Sequence, residues 1–384
     1  MLASWMLAVP PAQLRALAPD ALDAPDAGVE AIVAARVAAF APSQTDGALP
    51  DLQWPLQPAP GFDPFGYHGT GYFVDHDPRF PNLLQDYTCG VRTYDLDSGY
   101  NHAGTDYYLW PYPWLMMDSD EVRIVAAASG VIVEKIDGNF DRDCAIAGNG
   151  GFNAVFVQQD DGLTAWYLHM KNGSQTQKAV GERVAAGEFL GLVGSSGPSN
   201  LPHLHFELHD AANNVVDPLH GTCNAAPDRW IVPQPYESPR IDTLTTHSAE
   251  PTLVECGVAN GVPVHEEPHF ADSFAPGATF WAFASYSDHR NGEVTHFSVL
   301  RPDASVETSW DFDLASQNLP KPFYSGTAWD WSVTLPTDAP AGTWILQAEF
   351  QGQTYQHAFA VTAAAPARGH SHHARPAREP QIRR

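Results

Sequence analysis

The chain has 384 residues, with 45 acidic side chains against 20 basic ones and a formal net charge of −25. That sign argues against nucleic acid, whose affinity comes from counter-ion release by Lys and Arg, and against an anionic membrane surface. With 44% hydrophobic residues the chain can bury cores, and its length exceeds what one core fills, so two domains plus connecting segments are expected.

Taken in chain order, Met1–Pro11 is apolar but short and has no preceding Lys or Arg, so it makes a poor secretory signal. A truncated leader and a plain terminal segment both fit it. Within residues 1–60, Val29, Ile32, Val33, Val37 and Phe40 recur at helical spacing, and Pro50, Pro55, Pro58 and Pro60 then impose an extended linker. Residues 61–232 form the first domain. Its strands are expected at Val122–Ala128, Gly130–Ile136, Asn153–Gln158, Leu163–His169, Leu190–Val193 and His203–Leu208, separated by Gly, Asp or Asn turns. Pro233, Pro235 and Pro239 mark a second linker over 233–250.

Over 251–362, alternating runs at Thr279–Ser285, Val294–Leu300, Trp329–Leu335, Thr343–Gln351 and Tyr355–Val361 read as an immunoglobulin-like β-sandwich. Residues 363–384 read as a disordered tail rich in His and Arg. The fold class is all-β. No apolar run reaches the roughly 18–20 residues that span a bilayer, so no integral membrane segment is expected. Cys89, Cys144, Cys223 and Cys256 form no CxxC pair, which disfavours a four-cysteine zinc knuckle. Two disulfides in an oxidising compartment fit, with Cys89–Cys144 and Cys223–Cys256 the least entangled pairing; four buried thiols are the alternative.

Seventeen histidines make chance matches to short motifs common. His265-Glu266-Glu267-Pro268-His269 matches HExxH, but Pro268 would break the helix that such a site needs. His370 and His372 sit in the Pro/Arg-rich tail with nothing to hold them in a fixed geometry. The pair His203 and His205 has better context. On a strand, positions i and i+2 face one side, and the tight turn of residues 191–197 precedes them. His102 and Asp106 flank Gly104, which permits a bend, and Trp166-Tyr167-Leu168-His169 ends another strand in a histidine. Two imidazoles and one carboxylate would make a three-ligand zinc set with the fourth position open to water. Spacing alone leaves a second reading, in which His102 and Asp106 pair on a surface loop and the strand histidines are merely satisfied core residues.

The order of the segments NHAGTD, VAAASGVI, DDGLTAWYLHM, VGERVAAGEFLGLVGSSG and PHLHFEL resembles that of the lysostaphin/LytM-type zinc metalloendopeptidases, over roughly residues 89–223. The resemblance implies a duplicated-hybrid-motif fold: an antiparallel sheet groove with one Zn2+ at its floor, held by His102, Asp106 and His205. It implies catalytic roles for His169 and His203, without saying which is the general base. It further implies a secreted or periplasmic enzyme that hydrolyses peptide bonds of bacterial peptidoglycan through a metal-activated water. Protein substrates are the alternative within that reading, and a non-catalytic wall-binding or amidase-activating protein is the alternative outside it. Two features depart from the pattern. The run from Tyr107 to Trp114 is unusually aromatic, as groove wall or as local core, and the second domain matches no recognised wall-binding module.

Overall fold

The computed structural model describes residues 15–17, 27–39, 51–62, 66–145 and 150–362. The expectations for Met1–Pro11, for Phe40 and for the tail with His370 and His372 lie outside the described residues.

Alternation of side chains organises the first domain. In the strand His203–His209, Leu204, Phe206 and Leu208 enter one apolar core, and His203, His205, Glu207 and His209 therefore line the opposite face. The adjacent strand Thr164–Leu168 repeats the pattern, with Ala165 and Tyr167 in that core and Trp166 and Leu168 on the other side. Both belong to a seven-stranded antiparallel sheet. Its order is His68–Thr70, Thr105–Leu109, His203–His209, Thr164–Leu168, Ala154–Gln159, Gly130–Ile136 and Arg183–Val184. A three-stranded sheet of Phe189–Leu192, Val122–Val125 and Leu56–Pro58 packs on the core from behind through Leu56, Val122, Ile124 and Leu190. Pro58 is tolerated there because its strand is an edge. The expected helix is present as α1 (Ala27–Ala39) and lays Val33 on the outer sheet face, against a cluster that includes Val133, Phe156 and Trp166.

The second domain is a two-sheet sandwich. A sheet of Arg15–Leu17, Phe323–Thr334, Thr279–Arg290 and Arg240–His247 packs on one of Ser273–Phe274, Gln353–Val361, Gly342–Phe350, Thr295–Leu300 and Val306–Phe312. Phe280, Tyr286, Phe297, Trp329, Trp344 and Phe359 fill the space between them. The stretch 233–250, expected as a linker, is corrected here. Its Arg240–His247 part is a full strand paired with Thr279–Arg290, so the sandwich starts before residue 251.

The aromatic run is core, but the core it fills lies between the domains. Tyr108, Trp110, Tyr112 and Trp114 share one buried cluster with Phe283 and Ala328 of the sandwich, and the rings of Tyr112 and Phe283 stack at 5.4 Å. Their polar atoms are satisfied across the interface as well: Tyr108 Oη donates to Ser325 O (2.5 Å) and Trp110 Nε1 to Thr327 O (3.3 Å). Arg92 adds an ion pair to Asp288 at 2.6 Å. In α2 (Pro113–Asp118) the backbone amides of Trp114 and Leu115 donate to Glu266 Oε2 at 3.0 and 3.1 Å. The HExxH lookalike is thus a helix cap reaching over from the sandwich, which satisfies amides that a helix start leaves bare.

The disulfide pairing also differs from the expectation. The bonds are Cys89–Cys223 and Cys144–Cys256, not Cys89–Cys144 and Cys223–Cys256. Pairing by sequence proximity failed because the loop around Cys223 folds back on the one around Cys89, where Cys223 N donates to Tyr87 O at 2.8 Å, and the docked sandwich brings Cys256 to Cys144.

Candidate metal centre

Five polar side chains meet where Thr105–Leu109 runs beside His203–His209. The antiparallel register sets His205 opposite Asp106, and His102 stands one turn upstream in the approach to the first strand. Gly104 is required between the two motif residues for a reason beyond flexibility: a Cβ there would lie 2.6 Å from both His205 Nε2 and Phe206 O. His102, Asp106, His169, His203 and His205 are all buried.

Hydrogen bonds define the tautomers. His102 Nδ1 donates to Phe73 O at 2.7 Å, which leaves the lone pair on Nε2. His205 Nε2 donates to Glu207 Oε1 at 2.6 Å, which leaves the lone pair on Nδ1. Those two atoms are 3.2 Å apart, and Asp106 Oδ1 lies 3.1 Å from the first and 2.8 Å from the second. Two lone pairs and a carboxylate oxygen therefore converge on one point, an arrangement that a cation relieves. His102, Asp106 and His205 form the one group among the described residues whose donor atoms cluster this way. Donors around a tetrahedral ion with bonds of about 2.0–2.1 Å are separated by about 3.3 Å, close to the spacing found here. The residues fit a metal ion.

His169 and His203 flank this point. Their rings lie 4.5 Å apart, and His203 Nε2 is 3.9 Å from Asp106 Oδ1. Each has its Nδ1 proton held by a carbonyl, Ser196 O at 2.7 Å for His169 and Leu201 O at 2.8 Å for His203, so Nε2 is the basic atom of both. His169 reaches the site because its backbone turns at φ 62°, a left-handed conformation uncommon for a residue with a Cβ. The structure thus brings together all five residues singled out in the sequence. It leaves His265 outside, paired with Asp118 at 2.9 Å on the surface.

Two participants were missed. Glu207 bridges His205 and His209, with Oε2 2.5 Å from His209 Nε2, and His209 stacks on Trp166 at 4.1 Å. Burial drives the Glu207 carboxyl upward, but the hydrogen bonds from the two histidines outweigh it and bring the pKa down to about 2. The same i, i+2 rule that paired His203 with His205 extends to Glu207 and His209, and would have found both.

An antiparallel β-domain thus gathers two imidazoles and a carboxylate, spaced to fit a metal ion, beside two further histidines. Residues 115–218 match the model of peptidase family M23, and the chain carries a domain of that family. The matched stretch contains His169, His203 and His205 and leaves His102 and Asp106 outside it. Among curated relatives, the chain is 34% identical over 142 residues to glycyl-glycine endopeptidase ALE-1 of Staphylococcus capitis, covering 36% of this chain and 33% of that protein. It is 32% identical over 142 residues to lysostaphin of Staphylococcus simulans, covering 36% and 24%. The chain therefore spans a third or less of the length of these relatives. Among solved structures, the catalytic domain of lysostaphin from Staphylococcus simulans aligns over 39% of this chain and 89% of that one, at 25% identity with a TM-score of 0.25.

Proposed function

We propose that the chain is a zinc-dependent endopeptidase that hydrolyses peptide bonds of bacterial peptidoglycan. The observation that carries this reading is the convergence of His102 Nε2, Asp106 Oδ1 and His205 Nδ1 within 3.2 Å of one another beside His169 and His203. Its setting, a domain of a peptidase family similar to a glycyl-glycine endopeptidase and to lysostaphin, supports the substrate class.

His102, Asp106 and His205 would hold the ion. Zinc so bound supplies Lewis acidity and lowers the pKa of a bound water towards about 7. The chain's own groups do the rest. Glu207 fixes the His205 ring and its tautomer. His169 and His203, each with its Nδ1 proton held by a carbonyl, divide two tasks: one, neutral, takes the proton of the attacking water on Nε2 and delivers it to the leaving amine, and the other, carrying a proton on Nε2 as an imidazolium, donates a hydrogen bond to the oxyanion of the tetrahedral intermediate. A secreted or periplasmic location is supported by two disulfides that use all four cysteines.

Digestion of purified peptidoglycan, with mass analysis of the released fragments, tests the proposal. Peptides cut at one bond type, with release stopped by a chelator and restored by zinc, are expected. Intact peptidoglycan, together with a purified chain that retains no zinc, would discard the enzyme in favour of a wall-binding protein.

A further inference from the structure

The sandwich domain is covalently joined to a segment that braces the turn holding both flanking histidines. Cys144 is bonded to Cys256. Beside it, Arg142 Nε donates to Gly257 O at 2.9 Å, and the Arg142 guanidinium pairs with Asp118. The residues around Cys144 run along the glycine turn that follows Leu192. Arg142 bridges to Ser195 and Ala145 to Ser199, Asp143 N donates to Ser195 O (2.8 Å), and Ser195 Oγ donates to Asp143 O (2.7 Å). Asp143 Oδ2 accepts from Gly197 N at 3.1 Å, at a residue whose φ of +81° only glycine adopts easily and whose Cβ would strike Phe152.

That turn in turn holds the histidines. Ser196 O is the partner of His169 Nδ1, Leu201 O is the partner of His203 Nδ1, and Ser195 Oγ reaches Ser199 Oγ at 2.7 Å, itself 3.3 Å from His203 Nδ1. The three metal-facing donors are held otherwise, by Phe73 O, by Glu207 and by the register of two paired strands.

We propose that the sandwich is a positioning domain for catalysis: through Cys144–Cys256 it clamps residues 141–145, which hold the 195–201 turn and thereby the rings of His169 and His203. This rests on the reading of those histidines given above. The clamp separates two properties of the centre, metal retention and turnover, because only the second passes through the disulfide.

The test uses the full chain carrying Cys144→Ser with Cys256→Ser, and separately Ser195→Ala, which cuts the link from Asp143 to Ser199 without touching either disulfide. Turnover of purified peptidoglycan, zinc content and amide hydrogen exchange are measured on each. The expected result is a fall in kcat of tenfold or more, with KM and one zinc per chain preserved. Exchange should become faster in residues 195–201 and stay unchanged in 203–209. The pair Cys89→Ser with Cys223→Ser should lose melting temperature but keep kcat within twofold. If the Cys144/Cys256 variant fails to fold, Ser195→Ala decides by the same readouts. Full kcat and unchanged exchange in the clamp variants, while His169→Ala and His203→Ala are inactive, would overturn the inference and leave the proposed function standing. A wild-type chain that binds no zinc and releases no fragment would instead remove the proposed function itself.

Discussion

Two long buried strands show how differently the domains use polar residues. His203–His209 is buried at all seven positions and turns four ionisable groups to one face, where His205 converges with His102 and Asp106 on a point and Glu207 links His205 to His209. Thr279–Arg290 is nearly as buried, but its polar residues are dispersed into pairwise contacts: Ser287 donates to Asp242, Asp288 pairs with Arg92, and His289 meets Thr327 Oγ1 at 2.9 Å. Burial lowers the pKa of His289 to about 4, so it is a neutral structural histidine. Buried polar groups thus mark function when their lone pairs converge, and architecture when each finds its own partner. Of these three pairs only Asp288–Arg92 crosses to the first domain; the other two join neighbouring strands of the sandwich.

The largest effects should separate ligand from base. His205→Ala should abolish zinc retention and activity together. His169→Ala should keep stoichiometric zinc and lose about 10²–10⁴ in kcat, the range of a lost general acid or base. Metal analysis of both proteins checks this, and equal zinc loss would erase the distinction between the two roles. Next comes Glu207→Gln, which removes the charge that orients His205. Zinc affinity in a chelator competition should weaken by about 10–100-fold.

A smaller effect belongs to the domain interface. Burial, with the charge of Glu250 nearby, raises the pKa of Asp330 to about 7. In the unfolded chain this carboxyl ionises near 4, so the folded state binds the extra proton between those values. Its destabilising effect is complete above pH 7 and fades as the pH falls towards 4. Asp330→Asn should therefore raise the melting temperature at pH 8, by a free energy on the order of 1–4 kcal/mol, and bring little gain at pH 4. A gain that is equal at both pH values would show that Asp330 is not the titrating group. The smallest effect is expected at the HExxH lookalike. His265→Ala removes one exposed partner of Asp118, worth less than about 1 kcal/mol, and should leave zinc at one per chain.

Local pattern carried much of this protein. The period-two runs placed most strands of both domains within a few residues, since side-chain alternation is a property of the strand itself. The strand Val306–Phe312 escaped because it is an edge whose exposed Thr, Ser and Asp break the apolar rhythm. Arg240–His247 escaped because the prolines before it masked its start.

What the sequence by itself determined is which side chains are candidates to meet. Strand parity and turn glycines pick out His203 with His205 and His102 with Asp106, and the motif order that resembles the lysostaphin/LytM-type enzymes implies the ligand set and the roles of His169 and His203. What only the tertiary structure decided is who supports them. Cys144 meets Cys256 across 112 residues, Glu266 caps α2 from another domain, and Tyr108, Trp110, Tyr112 and Trp114 fill an interface that alternation cannot distinguish from an ordinary core. Those partners are set by how two finished domains pack, and packing between distant segments leaves no periodicity in the chain.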